Sequence, residues 1–326
     1  MNKPKVYITN SIPKEVLDYI GKHCDYEIWD NEENIQREEL KLNLKDKAGV
    51  MLTGIKIDED LLQYAPSLKV VSNIAVGYNN FDIEAMKKRK VIGTNTPYVL
   101  DGAVADLIFG LILSTSRRIT ELDSYVKKGQ WKASDDKNLY GTDVHRTTLG
   151  IIGMGRIGEA VAKRAKLGFE MEVLYYNRSR KVETEKSLGV KYSDMDNLLE
   201  KSDFIVLMTP LTKDTYHLID AEEFSKMKRT AIFINASRGQ TVNEKALIEA
   251  LENKKILAAG LDVYETEPIN KDNPLLKMDN VVTLPHIGSA TARTRFDMAM
   301  TAAENLVKGV LGEKPKYVVP ELEDLI

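Results

Sequence analysis

Cysteine is almost missing from this chain: Cys24 is the only one in 326 residues. No intrachain disulfide can form, and a single sulfur cannot build a thiolate metal site, so no metal is expected. An excess of one charge sign is missing too. Lys and Arg total 46 against 49 Asp and Glu, and a net charge of −3 gives no field for holding nucleic acid. The densest basic stretch, Lys87-Lys88-Arg89-Lys90, reads as the solvated end of a helix. Long apolar runs are also lacking. The most apolar segment, Ala103 to Leu113, contains Asp106 and falls well short of the ~18 residues that span a bilayer, so no membrane partner is expected. After Met1-Asn2-Lys3-Pro4-Lys5 the apolar run is only about four residues, shorter than a secretory-signal core. A reducing cytoplasm is the expected compartment.

The composition that is present, 43% apolar and 29% charged, is that of a globular protein long enough for two domains. Strand-like and helix-like runs alternate. Strands are expected at Val6 to Thr9, Tyr26 to Trp29, Gly49 to Leu52 and Lys69 to Ile74. Between and after them lie helices at Pro13 to Gly21, Glu33 to Asn43, Asp58 to Tyr64 and Asp82 to Arg89, the last with Asp82 as N-cap. A long helical pattern runs from Asp101 to about Lys127. A second alternating series follows from Thr148, with strands ending near Ile152, Tyr176, Met208, Asn235, Asp262 and Thr283, and a final helix covers Ser289 to Gly312. Such alternation predicts parallel sheets covered by helices, in two α/β units hinged by the helix from Asp101.

The second series opens with a cofactor signature. The strand Thr148-Leu149-Gly150-Ile151-Ile152 runs into Gly153-Met154-Gly155-Arg156-Ile157-Gly158, which fits G-x-G-x-x-G, and a helical stretch follows. Gly153 suits the tight turn, Gly155 the close approach of a pyrophosphate, and Gly158 helix–strand packing. The helix N-terminus offers free amides and a positive dipole end to phosphate. About 20 residues further on, where NAD sites place an acidic residue, stands Asn177-Arg178-Ser179-Arg180-Lys181. Arg178 and Arg180 suit a bidentate grip on a 2′-phosphate, which favours NADP(H), with NAD(H) still possible; the blander reading is a basic surface turn.

Reactive candidates cluster where later strands end: Ala236-Ser237-Arg238-Gly239, Leu261 to Pro268, and Leu284-Pro285-His286-Ile287-Gly288-Ser289. With the glycine motif and the loop Asn73-Ile74-Ala75-Val76-Gly77-Tyr78-Asn79-Asn80, these segments resemble the D-isomer-specific 2-hydroxyacid dehydrogenase family. Gly141-Thr142-Asp143-Val144-His145 is similar to its glyoxylate/hydroxypyruvate and 2-ketogluconate reductase branch. The resemblance implies that Arg238 holds the carboxylate and keto oxygen of a small 2-keto acid. It makes His286 the acid that protonates that oxygen as hydride arrives, and Glu267 the carboxylate paired with it, which favours the imidazolium. Val76 and Gly77 would offer backbone amides to the substrate carboxylate, with Ser289 and Gly288 near substrate and nicotinamide. Asp262 would meet the carboxamide, Arg156 and Ile157 the pyrophosphate, Thr209 and Pro210 the nicotinamide ribose, and Val104 the cofactor from the hinge helix. His23 and His217 have no comparable context and His145 matches only the branch segment, so all three are expected to be structural. Trp131 is expected in core or dimer packing rather than at substrate.

The same resemblance implies a Rossmann-type dinucleotide-binding domain, residues 101–287, inserted into a smaller flavodoxin-like α/β substrate domain, residues 1–100 and 288–326. The active site is expected in the cleft between the two, and a homodimer through the long helix. The hinge reads Asp101-Gly102-Ala103-Val104-Ala105-Asp106 where many relatives carry threonines, which puts any hydroxyl contact to cofactor there in doubt. The alternatives are a relative acting on D-lactate or 3-phosphoglycerate, and a non-enzymatic NAD(H)-sensing binding protein.

Overall fold

The computed structural model describes residues 3–31 and 33–326. Met1 and Asn2, part of the N-terminal stretch weighed above, lie outside the described residues. The chain forms two compact units, one from the residues up to Leu100 together with Ala290–Ile326, the other from Asp101–Ser289. Among the described residues no helix is long and apolar enough to cross a membrane.

The first unit is built on β1 (Lys5–Ile8), β2 (Asp25–Ile28), β3 (Gly49–Leu52), β4 (Val70–Asn73) and β5 (Ile92–Thr94). Their order is β2-β1-β3-β4-β5 with every pair parallel, the flavodoxin-like winding. Both β3 and β4 are buried at every position, as parallel strands covered on both faces must be. One face packs Leu61, Phe81 and Met86. The other takes the final helix, Ala292–Val310. A side chain at Gly49 would put its Cβ 2.7 Å from Leu306 and Val310, so the helix lies directly on the strand.

The second unit carries β6 (Thr148–Ile152), β7 (Glu172–Tyr176), β8 (Lys191–Tyr192), β9 (Phe204–Leu207), β10 (Ile232–Asn235), β11 (Ala258–Leu261) and β12 (Val281–Thr283). The order β12-β11-β10-β9-β6-β7-β8 is again parallel throughout. From β6 the chain winds outward through β7 and β8, then returns to β9 on the other side of β6. That is the doubly wound Rossmann order extended by one strand, with its switch point at the end of β6.

Three sequence expectations are corrected. The helix from Asp101 does not run to Lys127: it stops at Ser116, and a separate helix spans Ile119–Lys127. At the break, Arg118 takes φ 57°, and the Ser116 carbonyl accepts from the Thr142 amide at 2.8 Å. Arg118 also donates to the carbonyls of Asn138 and Tyr140. The helix expected from Glu33 begins only at Arg37, behind an extended Gln36. For Trp131, expected in core or dimer packing, its 65% exposure overturns the core half alone. Asp82 does cap its helix, accepting from the Ala85 amide at 3.0 Å.

Candidate active site and dinucleotide site

In the larger unit, every sequence-predicted cofactor or catalytic residue outside the hinge helix follows the carboxyl end of a strand. A parallel sheet presents these ends together on one edge. After β6 comes the glycine turn. Gly153 sits at φ 106°, and a Cβ there would lie 2.6 Å from the Met208 carbonyl, so only glycine permits both the turn and the approach to the end of β9. The helix Arg156–Phe169 starts at Gly155 with no side-chain cap, which leaves its first amides for an anion.

Other local features fit a bound dinucleotide. A Cβ at Gly155 would meet nothing within 4 Å, leaving room for a pyrophosphate against the backbone. Two buried polar atoms near this edge, Thr209 Oγ1 and Asp101 Oδ1, have no hydrogen-bond partner among the described residues. A bound polar ligand is one way to satisfy such atoms. Arg156 donates from Nε to Asp101 Oδ2 at 3.2 Å, tying the start of this helix to the helix Asp101–Ser116. Val104 of that helix is buried against Gly288.

Beyond β7, Asn177 Nδ2 donates to the Ser179 carbonyl and shapes the turn that carries Arg178 and Arg180. Here the structure adds a group the sequence reading did not weigh. Glu185 receives Arg180 through Nε and Nη2, both at 2.7 Å, and the Tyr175 hydroxyl at 2.6 Å. Hydrogen bonds from Arg180 and Tyr175 hold the Glu185 carboxyl down at about 2. Among the described residues Arg178 is exposed and forms no ion pair. The two arginines are therefore not equivalent: Arg180 is committed to a carboxylate, whereas Arg178 is not.

After β10, Asn235 organises the turn. Its Oδ1 accepts from the Ser237 amide and hydroxyl, while its Nδ2 and the Thr241 hydroxyl both donate to the Arg238 carbonyl. Gly239 then abuts the next loop, and a Cβ there would fall 1.8 Å from the Tyr264 carbonyl. Only glycine lets the Arg238 turn approach the loop that carries Glu267. Burial pulls the Arg238 pKa down while the Glu267 charge opposes the fall, and the guanidinium remains a cation.

Glu267 has both oxygens engaged. Oε1 accepts from the Tyr264 amide at 3.0 Å, and Oε2 meets His286 Nδ1 at 2.7 Å. Burial pushes the Glu267 carboxyl up, but the His286 hydrogen bond, the Tyr264 amide and the charges of His286 and Arg238 outweigh it, and its pKa lies below the ordinary glutamate value. An ionised carboxylate can only accept, so the proton between them belongs to Nδ1, and Nε2 is the nitrogen left for proton exchange. His286 itself sits at φ 52°, in the left-handed region, just beyond β12. Its loop is clamped by Asp262, which is 1% exposed and accepts from the amides of Ile287 at 2.7 Å and Gly288 at 2.8 Å. Asp262, expected from the sequence to meet a carboxamide, fixes the backbone beside the histidine. Tyr264 closes the set by donating to the Leu284 carbonyl at 3.0 Å, and burial pushes its hydroxyl up to about 12. Sequence reading missed Asn235, Thr241 and Tyr264, which work through backbone contacts and carry no motif of their own. His217, expected to be structural, pairs with Glu265 at 2.7 Å on the same loop.

The smaller unit holds Val76 and Gly77 in the loop after β4, neither of them fully buried. Asn73 and Asn95 reach the carbonyls of this loop.

A doubly wound parallel sheet, a glycine turn at its switch point, and an arginine and a His–Glu pair on the same edge define a nicotinamide-dependent dehydrogenase. The comparisons make that class specific. The profile for the D-isomer specific 2-hydroxyacid dehydrogenase, NAD binding domain, matches residues 109–288. The chain is 46% identical over 323 residues to glyoxylate/hydroxypyruvate reductase B of Escherichia coli O6:K15:H31, covering 99% of this chain and 100% of that one. Among solved structures, a protein from Thermus thermophilus superposes with a TM-score of 0.90 at 38% identity, covering 97% of this chain and 99% of that one. An NADPH-dependent glyoxylate/hydroxypyruvate reductase from Sinorhizobium meliloti, in complex with NADP and malonate, gives 0.88 at 30% identity, covering 98% of each chain. This chain belongs to the D-isomer specific 2-hydroxyacid dehydrogenase family, and it is an oxidoreductase that binds a nicotinamide dinucleotide.

Proposed function

We propose that the protein reduces small 2-keto acids, glyoxylate and hydroxypyruvate foremost and 2-ketogluconate as a further substrate, to D-2-hydroxy acids with NADPH. The observation that carries this reading is the His286–Glu267 pair at 2.7 Å, on the sheet edge that also holds the glycine turn and Arg238. When bound, the reduced nicotinamide supplies a hydride to the keto carbon. Arg238 holds the substrate carboxylate and polarises the keto oxygen. His286 gives its Nε2 proton to that oxygen, while Glu267 stabilises the imidazolium and fixes its ring. In the reverse direction neutral His286 is the base. Val76 and Gly77 supply amides to the substrate carboxylate, Ser289 and Gly288 flank substrate and nicotinamide, and Thr209, Pro210 and Val104 line the cofactor. The proposed setting is the cytoplasm. A homodimer is supported by the exposed apolar side chains of Ile119, Val126, Trp131 and Tyr140, on and just after the helix Ile119–Lys127.

A panel of 2-keto acids followed by NADPH absorbance tests the substrate assignment. Glyoxylate and hydroxypyruvate should be turned over with the highest kcat/KM. Turnover confined to pyruvate, or no keto-acid-dependent oxidation at all, would refute it.

Cofactor choice follows from the inequality of the two arginines. Arg178→Ala should lower kcat/KM for NADPH by about ten- to a hundred-fold, the value of a charge-assisted hydrogen bond, with little change for NADH. Adding Arg180→Ala should shift the ratio further toward NADH. An unchanged NADPH to NADH ratio in the double variant would remove the 2′-phosphate assignment.

A further inference from the structure

The loop after β4 is held in an unusual way: its carbonyls are taken one by one, two by donors from the segment after β5 and one by the last residue of β4. The Thr96 amide donates to the Ala75 carbonyl at 2.9 Å, Asn95 Nδ2 to the Val76 carbonyl at 2.8 Å, and Asn73 Nδ2 to the Gly77 carbonyl at 2.9 Å. In a trans peptide the C=O of one residue and the N–H of the next point in opposite directions. Holding the carbonyls of Ala75, Val76 and Gly77 therefore points each following amide, those of Val76, Gly77 and Tyr78, away from the donor that holds its own peptide. Among the described residues none of those three amides donates a hydrogen bond within the chain. Three neighbouring N–H groups without a partner in the chain are available to an anion.

Each asparagine is itself fixed. Asn73 is fully buried, and its Oδ1 has no partner among the described residues, so its amide is oriented by the donation to Gly77; turning it over would set oxygen against oxygen. Asn95 donates its backbone N–H to the Tyr317 carbonyl at 3.2 Å, and its own carbonyl accepts from Asn305 Nδ2 at 3.2 Å. Asn305, 1% exposed on the final helix, accepts in turn from the amides of Lys316 and Tyr317. The relay runs from the last segment of the chain to the peptide between Val76 and Gly77.

We infer that Asn95 and Asn73 are positioning residues, whose side-chain amides orient the Val76–Tyr78 peptides so that their N–H groups bind the carboxylate of the 2-keto acid. This rests on the assignment of that loop to the substrate carboxylate. Neither asparagine touches the substrate; each acts through the peptide plane it holds.

Asn95→Asp keeps the shape and removes the donor, since an ionised carboxylate only accepts and repels the Val76 carbonyl. At pH 8 the KM for glyoxylate should rise about tenfold relative to the unmodified enzyme, with kcat little changed. The NADPH Kd and the Tm should also stay close to those of the unmodified enzyme. As the pH is lowered toward the ordinary aspartate value of about 3.9, protonation restores an O–H donor, and the KM ratio should fall back. Asn95→Leu, which has no donor at any pH, should show the raised KM without recovery. A merely structural role would not yield a pH-reversible KM defect in one variant alone. Gly77→Pro, or Val76→Pro should the first not fold, deletes a loop amide outright and tests the underlying assignment. If it raises KM while both Asn95 variants keep the normal value, the positioning role is overturned and the carboxylate assignment stands. If it too leaves KM unchanged, that assignment fails and the inference fails with it.

Discussion

His286→Asn should lower kcat for keto-acid reduction by about a hundred- to ten-thousand-fold, the usual contribution of a positioned general acid, and leave the NADPH Kd unchanged. Asparagine keeps a side chain able to hydrogen-bond Glu267 but has no proton to give at neutral pH. The expected split between kcat and Kd follows from placement. His286 stands beyond β12, whereas the glycine turn and the first amides of the helix Arg156–Phe169 follow β6, across the sheet. A stopped-flow single turnover would show the loss in the chemical step. Lost NADPH binding with intact turnover would contradict the role.

The His–Glu pair also sets the acid limb. Glu267 has a folded-state pKa below its unfolded value of about 4.5, so it contributes stability above that value, and the contribution is lost as pH falls through the lower folded value. The carboxylate therefore remains charged beside His286 throughout the mildly acidic range. Reductive activity, followed by NADPH absorbance, is therefore expected to show no loss from Glu267 protonation until the pH falls below the ordinary glutamate value of about 4.5.

The second large effect is expected from Arg238→Lys, which should cost at least about a hundred-fold in kcat/KM for the keto acid despite keeping the charge. A guanidinium can meet a carboxylate and a neighbouring carbonyl with separate N–H groups in one plane, while an ammonium on a flexible stem is a point charge. The turn that carries it is built without slack: Asn235 and Thr241 hold the Arg238 carbonyl, and Gly239 lies against Tyr264. A lysine stem therefore has little freedom to move its charge to where the fork was. Steady-state kinetics with glyoxylate, together with partial rescue of Arg238→Ala by free guanidinium, checks the assignment. Near-normal kcat/KM in the lysine variant would show that only charge was needed.

Much of the dinucleotide half was legible in the sequence because its signals are local. The strand, the glycine turn and the helix lie within about two dozen consecutive residues, and each proposed catalytic side chain comes within a few residues of a strand end. The order of the sheets follows from parallel winding once the strands are found. What escaped depends on distant partners. The helix break at Arg118 needs Thr142 and the Asn138 and Tyr140 carbonyls, which no periodicity between Asp101 and Lys127 could reveal. Strands β5 and β8, with three and two residues, are too short to carry an alternation pattern. The carboxylate beside Arg180 comes from Glu185 in the following helix, outside the place where an NAD-type acid is sought. The orientation of the Val76 and Gly77 peptides is set in part by Asn305, more than two hundred residues away in sequence.

The most direct measurement is the reduction of hydroxypyruvate with NADPH deuterated at C4, on the face from which hydride is transferred. The product should be D-glycerate carrying one deuterium at C2, formed at a rate that collapses in His286→Asn. L-glycerate would contradict the assigned D-stereochemistry, and D-glycerate with only solvent hydrogen at C2 would contradict direct hydride delivery opposite a protein proton donor.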